Sequence, residues 1–370
     1  MTKYDRNAPY NDLPLLPPGG GIENDPEVLR KLVQASRALA AVDSNVLRLP
    51  NPFMLVNTIA LQEAKASTAI ENIFTTEDEL YKAISDTADE RTNAATKEVL
   101  RYREALWEGH AQLEKERTIT QNLIIKIFQQ IKNTNAGLRS PHAQIVIRQG
   151  QSEFRTGEIV YTPPRGDGVV EKFMDNLIGY INDDVKYPVD PLLKMCIAHY
   201  QFEAIHPFPD GNGRTGRILN LLYLVNKGLL SIPVLYLSKY IISNKDEYYF
   251  NLGAVTQRSS WKIWILFMLE AMEKTSVLTN RLINETVGQM EATLDYGKKH
   301  IKWYSKEVNE ALFAQPYSRA KTIGTIVGKR SRTTITKYMD ELVQAKIVTP
   351  KKEGNEVYYL NDNLIRILEG

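Results

Sequence analysis

Residues His206–Arg217 read HPFPDGNGRTGR, and the apolar run ILNLLYLVN follows them directly. The apolar run predicts a buried helix from about Thr215 to Lys227. Gly211 and Gly213 carry no side chains, so backbone amides can converge just before that helix. The free N–H groups and the dipole of a helix N-terminus favour an anion. The stretch therefore predicts a phosphate site.

The charged residues of the stretch point to the same chemistry. Arg214 and Arg217 are three apart and share a helix face at an N-terminus, where cations are unfavourable without a negative ligand. Asp210 would repel a phosphate unless a divalent cation lay between them, which predicts Mg²⁺. His206 has an ordinary pKa suited to accepting a proton from a hydroxyl at neutral pH. These residues predict a base, a metal ligand and an anion cradle.

Two other interpretations of these residues stay open. The stretch could be an N-capped turn between two buried helices, with surface arginines. His199, His206 and Asp210 could instead be the metal ligands of a hydrolase. His199 lies about two turns before His206 on a helix predicted from Leu192 to Ile205, and we interpret it as a packed core histidine.

Composition limits the class of protein. The 370 residues are enough for two or three compact units, and 46 basic against 44 acidic residues give no chain-wide charge for nucleic acid or membrane. Cys196, the single cysteine, lies in an apolar run and is expected to be buried. The N-terminus lacks a signal-peptide pattern and no apolar run approaches about 20 residues. We therefore expect a cytoplasmic protein with no membrane partner.

Apolar spacing predicts a mainly α protein. Residues 145–164 are largely β-branched and aromatic, broken by Gly150 and Gly157, and predict a short hairpin ending in a double proline. Residues 261–300 predict two helices, the second of which could bridge domains. We divide the chain into an N-terminal arm (1–24), a helical region (25–110), a core (111–275), a linking helix (276–307) and a C-terminal domain (308–370).

The C-terminal domain has the pattern of a winged helix-turn-helix. Short helices, one of them from Ser331 to Ala345, precede a hairpin that turns at Gly354. Such domains bind DNA, and they also serve as protein docking or dimer units. A homodimer and a DNA partner are both open. The basic residues that suggest DNA are Arg330, Arg332, Lys337, Lys351 and Lys352.

The opening stretch matches the Fic family signature His-x-Phe-x-Asp/Glu-Gly-Asn-Gly-Arg-x-x-Arg. Over roughly residues 25–270 the chain resembles that family. The resemblance implies a Fic-type helical bundle with a β-hairpin flap. It also implies a protein adenylyltransferase that moves AMP from ATP to a Tyr, Thr or Ser hydroxyl of a protein, itself included, and releases pyrophosphate.

The resemblance also implies residue roles. His206 would deprotonate the target hydroxyl, Asp210 would hold Mg²⁺ across the α- and β-phosphates, and Arg217 would bind the γ-phosphate. The other nucleotide-binding residues of the signature would be Gly211, Asn212, Gly213, Arg214, Thr215 and Gly216.

An upstream segment resembles the family's inhibitory pattern Ser/Thr-x-x-x-Glu-Gly/Asn. It is residues 67–72, STAIEN, in which Ser67 and Glu71 are four apart and so share one helix face. The resemblance implies that Glu71 pairs with Arg217 and keeps the γ-phosphate from its productive position.

Two further segments resemble family features. The hairpin resembles the flap that aligns a target segment by strand pairing and contacts the nucleotide, with Val160 and Tyr161 nearest to it. Tyr248 and Tyr249 lie where family members use tyrosines near the adenine. They fit an ordinary half-buried helix equally well.

Two other functions stay open for the whole chain. One is a DNA-binding transcription regulator whose Fic core senses a nucleotide. The other is a Fic enzyme that transfers a different phosphate-containing group, or removes AMP from a modified protein with Glu71 positioning a water molecule.

Overall fold

The computed structural model describes residues 4–47, 52–85, 92–149, 157–328 and 331–369, so the predictions for Gly150 and Arg330 lie outside the described residues. Within these ranges the chain is mainly helical, as predicted. The helices are α1 (Pro26–Leu47), α2 (Pro52–Ile70), α3 (Glu77–Ser85), α4 (Ala94–Glu116), α5 (Gln121–Lys132), α6 (Val169–Asn182), α7 (Pro191–Ile205), α8 (Asn212–Asn226), α9 (Leu237–Ser243), α10 (Lys245–Arg258), α11 (Trp261–His300), α12 (Lys306–Ala314), α13 (Ala320–Ile326), α14 (Arg332–Gln344) and α15 (Asp362–Glu369). The strands are β1 (Ile147–Gln149), β2 (Glu158–Tyr161), β3 (Tyr317–Arg319), β4 (Thr349–Glu353) and β5 (Glu356–Leu360).

Helices α7 and α8 form the centre of the molecule. Nearly every side chain of both is buried, including Cys196, so neither helix has a polar face turned to water. They pack against each other, while α4 and α5 pack on α8 and the long α11 packs along α1. The residues that connect α7 to α8 are therefore held at both ends by the core.

The predicted division of residues 261–300 into two helices is wrong. Helix α11 continues unbroken for 40 residues. Thr275 and Ser276, at the predicted break, are buried, and the Thr275 hydroxyl donates to the Ala271 carbonyl at 2.7 Å. Since the buried stripe continues through them, the helix does not end. The expected boundary at 275–276 falls inside it. None of the helices in the described ranges is both long and apolar enough to span a lipid bilayer.

The N-terminal arm packs along the β1–β2 hairpin. The hairpin is antiparallel, with Arg148 opposite Ile159. The Tyr10 amide donates to the Thr162 carbonyl at 3.0 Å, and the side chains of Leu13 and Leu16 are buried. The arm is thus anchored to the base of the hairpin by both a hydrogen bond and apolar burial.

The C-terminal unit has the predicted helices and final hairpin. Its sheet also contains β3, in the order β3-β5-β4, and α15 closes the chain; β3 and α15 are absent from the sequence predictions. The unit packs on α3, where the Tyr317 hydroxyl donates to Asp78 at 2.7 Å and Lys351 forms an ion pair with the same carboxylate. One lysine of the predicted DNA surface is therefore engaged within the chain.

Candidate nucleotide site

Helix α8 begins at Asn212, three residues earlier than predicted. Gly211 precedes it with a φ of 78°, a left-handed conformation that favours glycine. The Asn212 side chain accepts from the Phe208 amide and donates to the Phe208 carbonyl, each at 2.8 Å. The Phe208 ring in turn stacks on Phe128, with ring centres 4.1 Å apart. The connection is therefore rigid, and both polar atoms of the Asn212 side chain bind the Phe208 backbone.

The change Asn212→Ala is expected to lower the free energy of unfolding by about 2–4 kcal/mol, since it leaves both polar groups of Phe208 without their partner. Urea unfolding followed by circular dichroism measures the loss. Asn7→Ala is the control, because Asn7 is exposed. Equal stability of the two variants would show that the hydrogen bonds of Asn212 to Phe208 do not stabilise the connection between α7 and α8.

His206 ends α7 in a left-handed conformation, with a φ of 49°. Its amide donates to the Phe202 carbonyl at 3.0 Å. Burial, with a smaller effect from the nearby charge of Arg139, lowers the pKa of His206 to about 4. The imidazole is therefore neutral at pH 7 and can accept a proton.

Asp210 is exposed at the start of the connection to α8 and already has a cationic partner. Its Oδ2 lies 2.6 Å from Lys132 Nζ, and its Oδ1 accepts from the Gly211 amide at 2.6 Å. Burial by itself would raise the pKa of Asp210, but the hydrogen bond and charge of Lys132 outweigh it and lower the pKa. The carboxylate is ionised at neutral pH and lies where a cation is stable.

Arg217, Ser67 and Glu71 meet in the interior. Arg217 is buried; its Nε donates to Ser67 Oγ at 2.7 Å, and its Nη2 donates to Glu71 Oε1 at 2.7 Å and to the Ser67 carbonyl at 2.9 Å. Burial alone would lower the pKa of Arg217, but the Glu71 carboxylate raises it. Helix α2 ends at Ile70, so Glu71 is the first residue after the helix. The prediction that Ser67 and Glu71 share a helix face therefore holds for Ser67 only.

The Glu71 carboxylate also covers the first turn of α8. A Cβ atom at Gly213 would lie 2.3 Å from Glu71 Oε1 and 2.9 Å from Arg217 Nη1. No side chain caps this helix N-terminus. The carboxylate of Glu71 thus stands at a helix N-terminus, beside an arginine, in the place where a phosphate oxygen would be favourable.

The remaining signature residues face the protein. Arg214 forms an ion pair with Glu98, and the Thr215 hydroxyl donates to the Gly211 carbonyl at 2.9 Å. Gly216 packs against α7, where a Cβ atom would lie 2.6 Å from Glu203 Oε1. Burial raises the pKa of Glu203 to about 8, partly offset by Arg217, so this carboxyl is neutral at pH 7. Burial thus favours the uncharged form of Glu203 beside the first turn of α8.

The aromatic residues divide into buried and exposed. The Tyr161 hydroxyl donates to the Ala204 carbonyl at 2.7 Å, and the Tyr248 hydroxyl lies 2.9 Å from His199 Nε2 in the core. Val160 is half-buried, and its carbonyl accepts from the arm at 3.1 Å. Tyr249 is 39% exposed. Of the two tyrosines expected near adenine, Tyr249 is the one with a ring open to a ligand.

His199 has the environment of a core residue. Burial lowers its pKa to about 3, and its ring stacks on Trp264. In the part of the chain that the structure describes, no three His, Cys, Asp or Glu side chains are grouped to hold a metal. The hydrolase interpretation thus gains no support from the geometry.

Sequence reasoning missed Lys132, Glu98 and Arg139. They lie at the end of α5, in α4 and in the loop before β1, and their partners in the His206–Arg217 segment, which are Asp210, Arg214 and the His206 carbonyl, are 67 to 116 residues away along the chain. Each is a charged residue among others with no distinguishing spacing. No sequence signal identifies them.

Three family models match the chain. "Fic/DOC family N-terminal" matches residues 29–111, "Fic/DOC family" matches residues 118–224, and "Protein adenylyltransferase SoFic-like, C-terminal domain" matches residues 289–364. Together these ranges cover more than two thirds of the chain. The chain belongs to the Fic/DOC family. The segment of the Fic/DOC model contains α7 and the whole of the site from His206 to Arg217.

Curated relatives share parts of this Fic chain. The protein adenylyltransferase fic-1 of Caenorhabditis elegans is 35% identical over 155 residues, which are 42% of this chain and 28% of that protein. A probable protein adenylyltransferase of Aquifex aeolicus is 31% identical over 137 residues, which are 36% of this chain and 38% of that protein. The chain thus spans less than half the length of these two relatives.

Solved structures share the Fic fold. A Fic family protein from Desulfovibrio desulfuricans G20 aligns with a TM-score of 0.58 and 19% identity, covering 91% of this chain and 96% of that one. Fic-1 from C. elegans aligns with a TM-score of 0.51 and 18% identity, covering 72% of this chain and 75% of that one. At these identities the likeness concerns the fold.

Proposed function

We propose that this protein is an adenylyltransferase that moves AMP from ATP to a hydroxyl side chain of a protein, itself included. The observation that carries the proposal is the position of Glu71. An anionic group of the chain's own occupies the first turn of α8, held by Arg217, on the same rigid connection that carries the neutral imidazole of His206. The names of the curated relatives support the same activity.

The transfer is an in-line displacement at the α-phosphorus of ATP. His206 accepts the proton of the target hydroxyl as the hydroxyl oxygen bonds to the phosphorus. The bond from that phosphorus to the bridging oxygen of the β-phosphate breaks, and pyrophosphate leaves. The backbone N–H groups of α8 and the charges of Arg214 and Arg217 stabilise the phosphate oxygens. Positioning and charge compensation supply most of the catalysis in such reactions.

Asp210 is the residue that would hold Mg²⁺. It is an ionised, exposed carboxylate whose Oδ2 lies 2.6 Å from Lys132 Nζ and 4.0 Å from Arg214 Nη2. Mg²⁺ usually keeps one or two protein carboxylates and takes its other ligands from water and phosphates, so a single carboxylate fits an ion that arrives with ATP. When bound, the ion would neutralise charge that develops on the leaving phosphates.

The change Asp210→Asn is expected to bring the dissociation constants of ATP measured with Mg²⁺ and with EDTA to within about twofold of each other, because no anionic ligand for the ion remains. Calorimetric titration of the purified protein measures both constants. Asp167→Asn serves as the control, since that carboxylate is exposed and distant in sequence. A Mg²⁺ effect as large as in the wild type would assign the ion to other residues.

We also propose that Glu71 inhibits transfer. Its carboxylate holds Arg217 and fills the space above Gly213, where the γ-phosphate would bind. Ser67 binds the same guanidinium through its hydroxyl and its carbonyl. ATP can bind productively only after Glu71 leaves.

Intact-mass spectrometry tests the reaction class. Wild type and Glu71→Gly are incubated with ATP and Mg²⁺, and the Glu71→Gly protein is expected to gain the mass of one or more adenylyl groups. A gain of phosphoryl mass, or no gain with added protein extract either, would contradict AMP transfer. Loss of adenylyl groups from a pre-modified protein would instead favour AMP removal.

The DNA-binding alternative concerns the C-terminal unit. We propose a winged helix that packs on the N-terminal helical region, because Lys351 and Tyr317 both bind Asp78 of α3. Retention of the protein on immobilised duplex DNA that falls steeply with salt would favour the regulator instead.

A further inference from the structure

Arg139 joins three segments around the candidate base. It lies in the loop between α5 and β1 and is 3% exposed. Its Nε donates to the His206 carbonyl at 2.8 Å, and its Nη2 donates to the Ile205 carbonyl at 3.2 Å and to the Pro164 carbonyl. Its own amide donates to the Pro207 carbonyl at 2.9 Å. One residue thus binds the end of α7, the turn after it and the base of the hairpin.

This arrangement suits the end of a helix. The last carbonyls of α7 have no partner within the helix and carry the negative end of its dipole, so a guanidinium is favourable there. The planar fork of arginine can serve several carbonyls at fixed angles, which a lysine cannot. His206 is held in a left-handed conformation at this point, so the direction of its side chain depends on how its backbone is fixed.

We propose that Arg139 is a positioning residue for the transfer reaction, one that fixes the backbone from Ile205 to Pro207 and so directs the His206 imidazole toward the target hydroxyl. The bond to Pro164 fixes the hairpin base relative to that imidazole. The inference rests on the proposed role of His206 as the base.

Arg139 also acts on the charge state of His206. Burial is the largest influence on the pKa of His206 and lowers it, and Arg139 lowers it as well. Glu71, Asp210 and a backbone hydrogen bond at Glu203 act in the opposite direction. A neutral residue at 139 is therefore expected to raise the pKa of His206, although burial keeps it below its ordinary value.

Two variants separate position from charge, each made in the Glu71→Gly protein. Arg139→Lys keeps the cation but cannot bind three carbonyls, so kcat is expected to fall tenfold or more with the pKa of His206 unchanged. Arg139→Gln removes the cation too, so kcat falls at least as far and the pKa of His206 rises. The KM for ATP stays within twofold in both, because Arg139 does not touch the phosphate site.

Histidine ring NMR measures the pKa of His206, with the signal assigned by its loss in His206→Ala. Trp264→Phe is the matched control, because Trp264 Nε1 also donates to an α7 carbonyl, that of Cys196, at 2.8 Å. That control is expected to lower the melting temperature. It should leave kcat within twofold of the parent and the pKa of His206 unchanged within experimental error.

The result that would overturn the proposal is a kcat within twofold of the parent in both Arg139 variants, or a loss confined to the KM for ATP. A rate loss in Trp264→Phe equal to that in Arg139→Lys would also overturn it. If the Glu71→Gly parent transfers no AMP at all, the proposed function fails. The NMR titration of Arg139→Gln then still tests whether Arg139 acts on His206.

Discussion

Glu71→Gly is expected to raise the rate of AMP transfer about a hundredfold. Arg217 is buried and pairs with Glu71 Oε1 at 2.7 Å. Removing one partner of a buried ion pair leaves the other charge unpaired, which costs about 3 kcal/mol. Each 1.4 kcal/mol corresponds to about a factor of ten in rate. The γ-phosphate of ATP can supply that compensation once the carboxylate is gone. The space above Gly213 is vacated by the same change.

Initial rates with ATP labelled on the α-phosphate measure this effect, with the protein itself as acceptor. Asn72→Gly is the matched control. It introduces a glycine one residue later, at a φ of 61° where glycine is unstrained, and leaves the Glu71 carboxylate in place. Equal rates in wild type and Glu71→Gly would show that Glu71 does not inhibit. Equal acceleration in Asn72→Gly would assign the effect to backbone flexibility.

His206→Ala in the Glu71→Gly protein is expected to reduce transfer by about 10²- to 10⁴-fold, the usual contribution of a general base. The imidazole is neutral at pH 7 because its pKa is lowered to about 4. A lowered pKa keeps the base form available down to acidic pH, so the rate in the parent protein should not fall between pH 8 and pH 6 through protonation of this ring. The dissociation constant of ATP should change by less than about threefold, since the phosphate site is formed by other residues.

Calorimetry of ATP binding alongside the rate measurement separates chemistry from binding. His142→Ala is the control for loss of a histidine, because the His142 side chain is 81% exposed. Transfer retained in His206→Ala would rule out this residue as the base. A parallel loss of ATP affinity would mean that the ring holds the nucleotide.

Helix α8 shows which features the local sequence pattern predicts and which it does not. The apolar run after Arg217 predicts a buried helix, and the structure has one. The predicted start at Thr215 is three residues late, because two glycines and an asparagine have the composition of a loop. Gly211 in a left-handed conformation and the clamp of Asn212 on Phe208 move the start to Asn212. Helix starts of this kind depend on a side chain whose partner is set by folding.

The tyrosines also show what local sequence does not determine, which here is the direction in which a side chain faces. The family resemblance predicts Tyr161 and Tyr248 near the nucleotide; in the structure their hydroxyls bind the Ala204 carbonyl and His199. Tyr249, the neighbour of Tyr248, is exposed. Which of two adjacent residues faces a ligand depends on the rotation of the helix in its packing, and adjacent aromatic residues do not specify that rotation.

The sequence alone determined the features that arise within a few turns of chain: the helical class, the hairpin, and the twelve-residue segment with its glycines, acid and arginines. Those features follow from side-chain periodicity and backbone sterics, which are local. Only the tertiary structure decided that Lys132 pairs with Asp210, that Glu98 pairs with Arg214, and that Arg139 binds the carbonyls around His206. Such contacts join residues far apart in the chain, and they depend on how the helices pack together rather than on any spacing along the sequence.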